Sequence, residues 1–395
     1  MIILERSSCP GCGSAEISYI YEIDNIPIHS VLLFQNREKA IKYPKKDIKL
    51  GFCEKCGLIS NVSFDPDLHE YSTGYESTQI YSTTFNVFAR KLAQNLVDRY
   101  NLYSRDIIEI GCGQGEFLTM LCESGKNRGI GFDPAFIQKK NENLKKYQVS
   151  IIKDFFSEKY ADIQCDFLCC RMTLEHISET ADFIRTVKRT IQNKPDTIVF
   201  FQVPDVTRIL KDLAFWDIYY EHCSYFSPGS IAQLFRNNGF EITDKWVDYD
   251  DQYIMLGARL GNEEKPNSIT AQEDIVQLKR HVEFFSKNYK NHLNKWKSYL
   301  EKARKDGQKA IIWGGGSKGV AFLTTLNIIK EIEYVVDINP NKHGTYMAGT
   351  GQEIVSPEFL MRYRPDIVIV MNPIYCSEIQ KTLDKLGIIA ELKSV

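Results

Sequence analysis

An imidazole, two carboxylates and several phenols crowd into Phe215-Trp216-Asp217-Ile218-Tyr219-Tyr220-Glu221-His222-Cys223-Ser224-Tyr225-Phe226-Ser227. Imidazole titrates near neutrality, so His222 suits removal of a proton from a weakly acidic group. Tyr219 can relay that proton or hydrogen-bond a developing oxyanion. Glu221 can orient His222 or hold a hydroxyl. These three are the catalytic candidates. A second constellation is Ile107-Ile108-Glu109-Ile110-Gly111-Cys112-Gly113-Gln114-Gly115, an apolar run carrying one acid and ending in alternating glycines. Gly111, Gly113 and Gly115 let a backbone come close to a ligand. Glu109 would repel a pyrophosphate and suits a cationic ligand. Taken alone, the stretch also fits a glycine turn of some other α/β unit. The third constellation is Cys9-Pro10-Gly11-Cys12 with Cys53-Glu54-Lys55-Cys56. Two Cys-x-x-Cys knuckles supply four thiolates for a tetrahedral Zn²⁺, and a closed Cys₄ site is structural. Redox cysteines are the alternative. His29 and His69 read as ordinary surface or substrate-side residues, because four cysteines already complete such a site.

Elements must hold these groups. Ile17 to Tyr21 and Lys49 to Phe52 read as strands beside the knuckles, and residues 1–70 as one zinc module. Tyr71 to Ser82 is rich in hydroxyls and aromatics, which suits a polar pocket wall or lid as well as a solvated connector. Residues 84–100 have helical spacing. From Glu109 onward strands and helices alternate, as in a doubly wound sheet, with further strands near 128–133, 149–152, 166–170, 197–203, 240–248 and 252–260. Asp133 ends the second strand, where it can meet ribose hydroxyls. Asp154 and Phe155 end the third and can meet an adenine. His176 follows the fourth, facing the ligand or serving structurally. Ser227 and Pro228 open a helix. Residues 71–262 thus form an α/β core.

Gly261 to Ser268 reads as a linker. From Ile275 the apolar steps Leu278, Val282, Phe285, Tyr289, Trp296 and Leu300 predict one long amphipathic helix packed between domains, or else a coiled-coil seam. Lys309 to Gly319 is a second strand-loop-helix, with Gly314, Gly316 and Gly319 in Gly-x-Gly-x-x-Gly spacing. Tyr334-Val335-Val336-Asp337 then ends in an acid. This pattern raises a rival reading as a nicotinamide-dinucleotide enzyme. Lys318 inside the loop points instead to a phosphate clamp. Residues 263–395 read as the long helix plus this second Rossmann-like unit.

Composition narrows the class. The 395 residues carry a net charge of −2, which gives no overall bias toward nucleic acid or an anionic membrane. No apolar run approaches a bilayer span, and the first residues lack a secretory pattern. Eleven cysteines without that pattern fit a reducing cytoplasm.

In combination these marks resemble one family over nearly the whole chain: the sugar C-methyltransferases of nucleotide-linked 4-keto-deoxy sugars. The marks are Cys9/Cys12 with Cys53/Cys56, Tyr75-Glu76-Ser77, Glu109 to Gly115, and Tyr219-x-Glu221-His222. To these add Ser317-Lys318-Gly319, Asp337-x-x-Pro340 and Lys342-His343-Gly344. The Glu109 loop is itself similar to the S-adenosylmethionine (SAM) loop of Rossmann-like methyltransferases. The resemblance implies an N-terminal zinc module, a SAM-binding core and a C-terminal Rossmann-like domain that helps to hold a nucleotide sugar. It implies Tyr219 and His222 as acid/base residues. The cofactor contacts it points to are Glu109, Gly111, Gly113, Gly115, Asp133, Asp154, Phe155 and His176. The substrate contacts are Tyr75, Ser77, Gln79, Ser317, Lys318, Gly319, Asp337, Lys342 and Asn372. Asn372-Pro373-Ile374-Tyr375 departs from the tryptophan-asparagine-aromatic stretch of many relatives, which suits a different sugar. O- or N-methylation of a glycan precursor and a non-catalytic zinc-bearing scaffold are the other readings. Monomer is the expected state, with a small molecule as partner.

Overall fold

The computed structural model describes residues 6–68, 74–76, 78–138, 142–261 and 270–395, with side chains of the long helix from 274 onward. His69, Ser77 and most of the 261–268 linker lie outside the described residues. Three sheets organise the chain. The central one has seven strands in the spatial order 240–248, 253–260, 198–204, 167–171, 106–110, 128–132 and 149–152. All pairings run parallel except those of Tyr253–Leu260, which is antiparallel to both neighbours. In order of appearance this is 3-2-1-4-5-7-6. It is a Rossmann-like α/β methyltransferase fold. Strands such as Phe167–Arg171 are buried nearly throughout because helices cover both faces, so they read as unbroken apolar runs rather than alternating ones.

A second, all-parallel sheet of five strands occupies the C-terminal part, in the order 353–355, 332–336, 310–313, 367–370 and 391–394. In both sheets the strand that precedes the glycine loop lies at the point where the order reverses. Open α/β sheets bind ligands at the carboxyl ends of the strands beside such a point.

The third sheet is antiparallel and contains Ile17–Pro27, Lys45–Cys53 and Ile59–Asn61. Its fourth strand is Ser224–Tyr225. That dipeptide comes from the far side of the central sheet in sequence. The N-terminal module is therefore sewn directly onto the segment that carries Tyr219, Glu221 and His222. This link is invisible in a linear reading, because a two-residue strand has no periodicity to detect.

The helix Thr270–Lys305 is 36 residues long, hence about 54 Å at 1.5 Å per residue. Leu278, Val282, Phe285, Tyr289, Leu293, Trp296 and Leu300 form its buried stripe. Phe285 and Tyr289 meet Tyr21 of the N-terminal sheet, at 5.8 and 5.0 Å between ring centroids. Trp296 meets Phe322 of the C-terminal unit at 5.2 Å. The expected packing between domains is what the helix does.

Candidate active site

One crevice of 1440 Å³ is lined by the carboxyl ends of both parallel sheets. Pockets for single small ligands span roughly 300–1,000 Å³, so this space is large enough for two. Glu109 to Gly115 and Asp133 line one part of it. Gly314, Gly316 to Gly319, Asp337 and Lys342 line another. Tyr219, His222, Glu175 and His176 share the same walls, as do Tyr75, Gln79, Asp154, Phe155 and Asn372.

The first loop fits a cationic, backbone-held ligand. Gly111 has φ +69, and a Cβ there would fall 2.0 Å from Thr173 Oγ1. Gly113 has φ +58, and its Cβ would project toward the crevice with nothing nearer than Glu116 Oε2 at 3.8 Å. Glu109 is buried, and its Oε2 has no hydrogen-bond partner among the described residues. Burial pushes its carboxyl up to about 8. The Arg171 charge opposes this and Glu116 adds to it. A buried carboxylate is costly without a cation, and the sulfonium and ammonium of SAM are such cations. Arg171 itself stacks 3.6 Å over the Phe117 ring and donates from Nε to Gln202 Oε1 at 2.7 Å.

Asp133 uses its carboxylate to brace its own loop. Oδ2 accepts from the Gly113 N–H and Oδ1 from the Ala135 N–H, both at 2.8 Å. Asp337 does the same in the C-terminal unit, accepting from Gly315 at 2.9 Å and Asn339 at 2.8 Å. The two Rossmann-like units thus share one device, and each acid is less available to ribose hydroxyls than its position suggested. Lys342 Nζ lies 3.2 Å from Asp337 Oδ2. Asp154 is also engaged, by Tyr160 and Lys159. Phe155 is 57 % exposed beside the crevice, where its ring can stack on a base.

The expected phosphate clamp is neutralised. Lys318 Nζ forms an ion pair with Asp217 at 2.7 Å, and Asp217 also binds Arg208. Burial lowers the proton affinity of Lys318, with the Asp217 charge opposing. Lys318 further donates to Gln252, whose amide pairs with that of Asn372 at 2.8 Å. Lys318 and Asn372 thus tie the C-terminal unit to the central domain. Ser317 Oγ lies 2.8 Å from Ser30 Oγ, within hydrogen-bond distance.

In the catalytic segment the ring centroids of Tyr219 and His222 are 4.2 Å apart, and those of His176 and His222 are 4.7 Å apart and perpendicular. Burial, then the Asp217 charge, drives the Tyr219 hydroxyl well above its usual value, so it is a neutral donor. Glu221 turns elsewhere than expected. Its Oε1 sits 2.9 Å from His29 Nδ1 and accepts from the Ser30 N–H, and its Oε2 accepts from Ser30 Oγ at 2.6 Å. Burial would raise Glu221, but the His29 hydrogen bond and the His176 charge hold it below the carboxylate norm. His29 is only 2 % exposed, so it is not a surface residue. A lone histidine in a polar loop carries no signal of this, since its partner lies 192 positions away.

Tyr75 bridges to Leu32, and its ring lies edge-on to His29 at 6.3 Å. Beside it, Glu76 accepts from Asn341 and Thr78 donates to Glu116, so described parts of the 71–82 segment touch both loops' domains. The cysteines converge. One donor atom from each of Cys9, Cys12, Cys53 and Cys56 lies within 4.8 Å of the others, with Cys9–Cys56 and Cys12–Cys53 sulfur distances of 3.5 and 3.6 Å. A tetrahedron of about 2.3 Å Zn–S bonds has edges of about 3.8 Å, so the four sulfurs fit one zinc ion. Glu175, which the sequence reading passed over, brings a carboxylate oxygen within 4.8 Å of donor nitrogens on His176 and His222.

Comparison with known proteins agrees with this architecture. Residues 83–245 match the family model of a methyltransferase domain. Residues 259–388 match that of a C-methyltransferase C-terminal domain. The chain is a SAM-dependent methyltransferase. It is homologous to the C-methyltransferase NovU of Streptomyces niveus, at 25% identity over 394 residues, covering 96% of this chain and 92% of that protein. The mitochondrial ubiquinone biosynthesis O-methyltransferase of Dictyostelium discoideum is 24% identical over 184 residues, 40% of this chain and 56% of its own. Among solved structures, the 1,6-didemethyltoxoflavin-N1-methyltransferase of Burkholderia thailandensis, with bound S-adenosylhomocysteine, aligns with 44% of this chain and 79% of its own. Its identity is 13% and its TM-score 0.35. No helix among the described residues is long and apolar enough to cross a membrane.

Proposed function

We propose that this methyltransferase alkylates carbon on a nucleotide-linked keto-deoxy sugar, in the cytoplasm and as a monomer, with a structural zinc ion held by Cys9, Cys12, Cys53 and Cys56. The observation that carries the reading is the shared crevice. A loop suited to SAM, a second loop suited to a nucleotide diphosphate, and an imidazole beside a phenol all line it. Two matched family models along one chain and the full-length similarity to a C-methyltransferase support it.

Carbon becomes nucleophilic only after losing a proton. A ketone beside the target carbon makes that proton acidic, because charge spreads onto oxygen. His222 takes the proton as general base. The neutral Tyr219 hydroxyl donates a hydrogen bond to the enolate oxygen. Glu221 holds His29 and Ser30 in the wall beside them, and Ser30 in turn reaches Ser317 of the second loop. SAM supplies the electrophilic methyl. Glu109 and the 111–115 backbone would hold it, with Asp133 bracing the loop and Phe155 covering the adenine. Ser317, Lys318, Gly319 and Lys342 would receive the diphosphate, with Lys318 changing partner from Asp217. Tyr75 and Gln79, which line the crevice, would contact the sugar. Holding two reactants in register is the main contribution to rate.

The test is solvent deuterium wash-in at the carbon next to the ketone. A nucleoside-diphosphate 4-keto-6-deoxyhexose serves as probe. Wild-type protein should exchange that position, and His222→Ala should lose the exchange. O- or N-methylation predicts no exchange, and methyl transfer to oxygen or nitrogen without it would overturn the proposal.

A further inference from the structure

We propose that Glu175 is the proton acceptor behind His222: it acts through the imidazole, taking the proton that the ring passes on, without touching substrate. The inference rests on the carbon-acid reading above and adds the group that completes its proton balance. Glu175 sits in the one-turn helix Leu174–His176, just past the buried strand Phe167–Arg171. It is 1 % exposed, yet it lines the crevice. Neither of its carboxylate oxygens has a hydrogen-bond partner among the described residues. Leaving a buried acid unsatisfied carries a desolvation penalty, so a group in this state calls for a function. Its nearest donor atoms on His176 and His222 lie within 4.8 Å, the span of one bridging water.

The groups that face it come from four elements. They are Cys170 on the strand before it, His176 beside it, Tyr219, His222 and Cys223 on the catalytic segment, and Tyr253 on the antiparallel strand. None is a fixed cation. Burial raises Glu175 to about 8, with its own backbone N–H opposing. As a carboxylate it is then a stronger base than a free imidazole, which suits a reluctant carbon acid.

The balance closes. The C–H bond beside the ketone breaks, its proton goes to one ring nitrogen of His222, and its electron pair enters the enolate. The other ring nitrogen releases its proton to the Glu175 carboxylate. The enolate carbon bonds to the methyl while the S–C bond breaks toward sulfur, leaving S-adenosylhomocysteine and one surplus proton on Glu175. His176, half-buried at the crevice wall, returns that proton to solvent.

Two measurements decide it. In ligand-free protein labelled with ¹⁵N-histidine, the His222 ring signals should show an inflection near pH 8, where the Glu175 carboxyl ionises, and Glu175→Gln should remove it. With the 4-keto-6-deoxyhexose probe, wild-type wash-in should rise from pH 6 to 8. Glu175→Gln should slow it about 100-fold and flatten that rise, with SAM affinity within twofold of wild type. Absence of that inflection in wild type, or its persistence in Glu175→Gln, overturns the proposal. So does exchange in Glu175→Gln at the wild-type rate and pH profile, or a second metal equivalent in wild type that the variant lacks. Absence of exchange in wild type as well strikes the keto-sugar reading, and the ligand-free titration still decides Glu175.

Discussion

SAM binding should release a proton, and Glu109 should be its source. The ordinary glutamate value of 4.5 is raised to about 8 here by burial, against the opposing charge of Arg171. At pH 7 the ligand-free carboxyl is then about nine-tenths protonated. A cation binds the ionised form, so about 0.9 proton leaves per SAM bound at pH 7. The dissociation constant should fall about tenfold per pH unit below 8 and level off above it, roughly fifty-fold between pH 6 and 8. Glu109→Gln removes the titration. It also removes a charge-assisted contact worth about 1.5–3 kcal/mol, which is about 10- to 150-fold in affinity at high pH. Calorimetry in two buffers of different ionisation enthalpy reads both quantities. SAM's own ammonium titrates equally with both proteins and cancels in the comparison. A flat affinity from pH 6 to 8.5, with equal proton release by wild type and variant, would refute the reasoning.

Stability should respond to the same burial. An acid whose folded value lies above its unfolded one makes the folded state lose stability as pH rises. For Glu109 and Glu175 that window runs from about 4.5 to about 8, so Tm of ligand-free protein should fall across it, and less steeply in Glu109→Gln. Chelation or Cys53→Ser should release one zinc equivalent and also abolish methyl transfer, because strand Ile59–Asn61 holds Ser224–Tyr225 beside the catalytic segment. Metal analysis with activity checks this, and full activity without zinc would contradict it. Lys318→Met should raise KM for the nucleotide sugar at least tenfold and leave SAM affinity unchanged; kinetics and calorimetry separate the two. Glu378→Ala should lower stability by about 1 kcal/mol, because its carboxylate accepts from the Thr83 and Thr84 N–H groups and caps the helix Thr83–Arg99 from another domain; denaturant midpoints measure it.

What the amino-acid order determined is local. Alternating glycines after a buried strand, apolar runs at fixed periods, paired knuckles and Ser227-Pro228 at a helix start each depend on neighbours within a few residues. Both Rossmann-like units, the long helix and the Cys₄ cluster were therefore legible, and so were the segments that line the crevice. What only the tertiary structure decided is how each side chain is satisfied. Lys318 reads as a phosphate ligand until Asp217 stands beside it, 101 positions away. Glu221 reads as a partner for His222 until His29 and Ser30 arrive from the first sheet. Glu175 looks like one more acid before a histidine, and its burial follows from the segments packed around it. Charge and hydrogen bonding act through space over a few ångströms, whereas sequence patterns report only what the chain does along its own length.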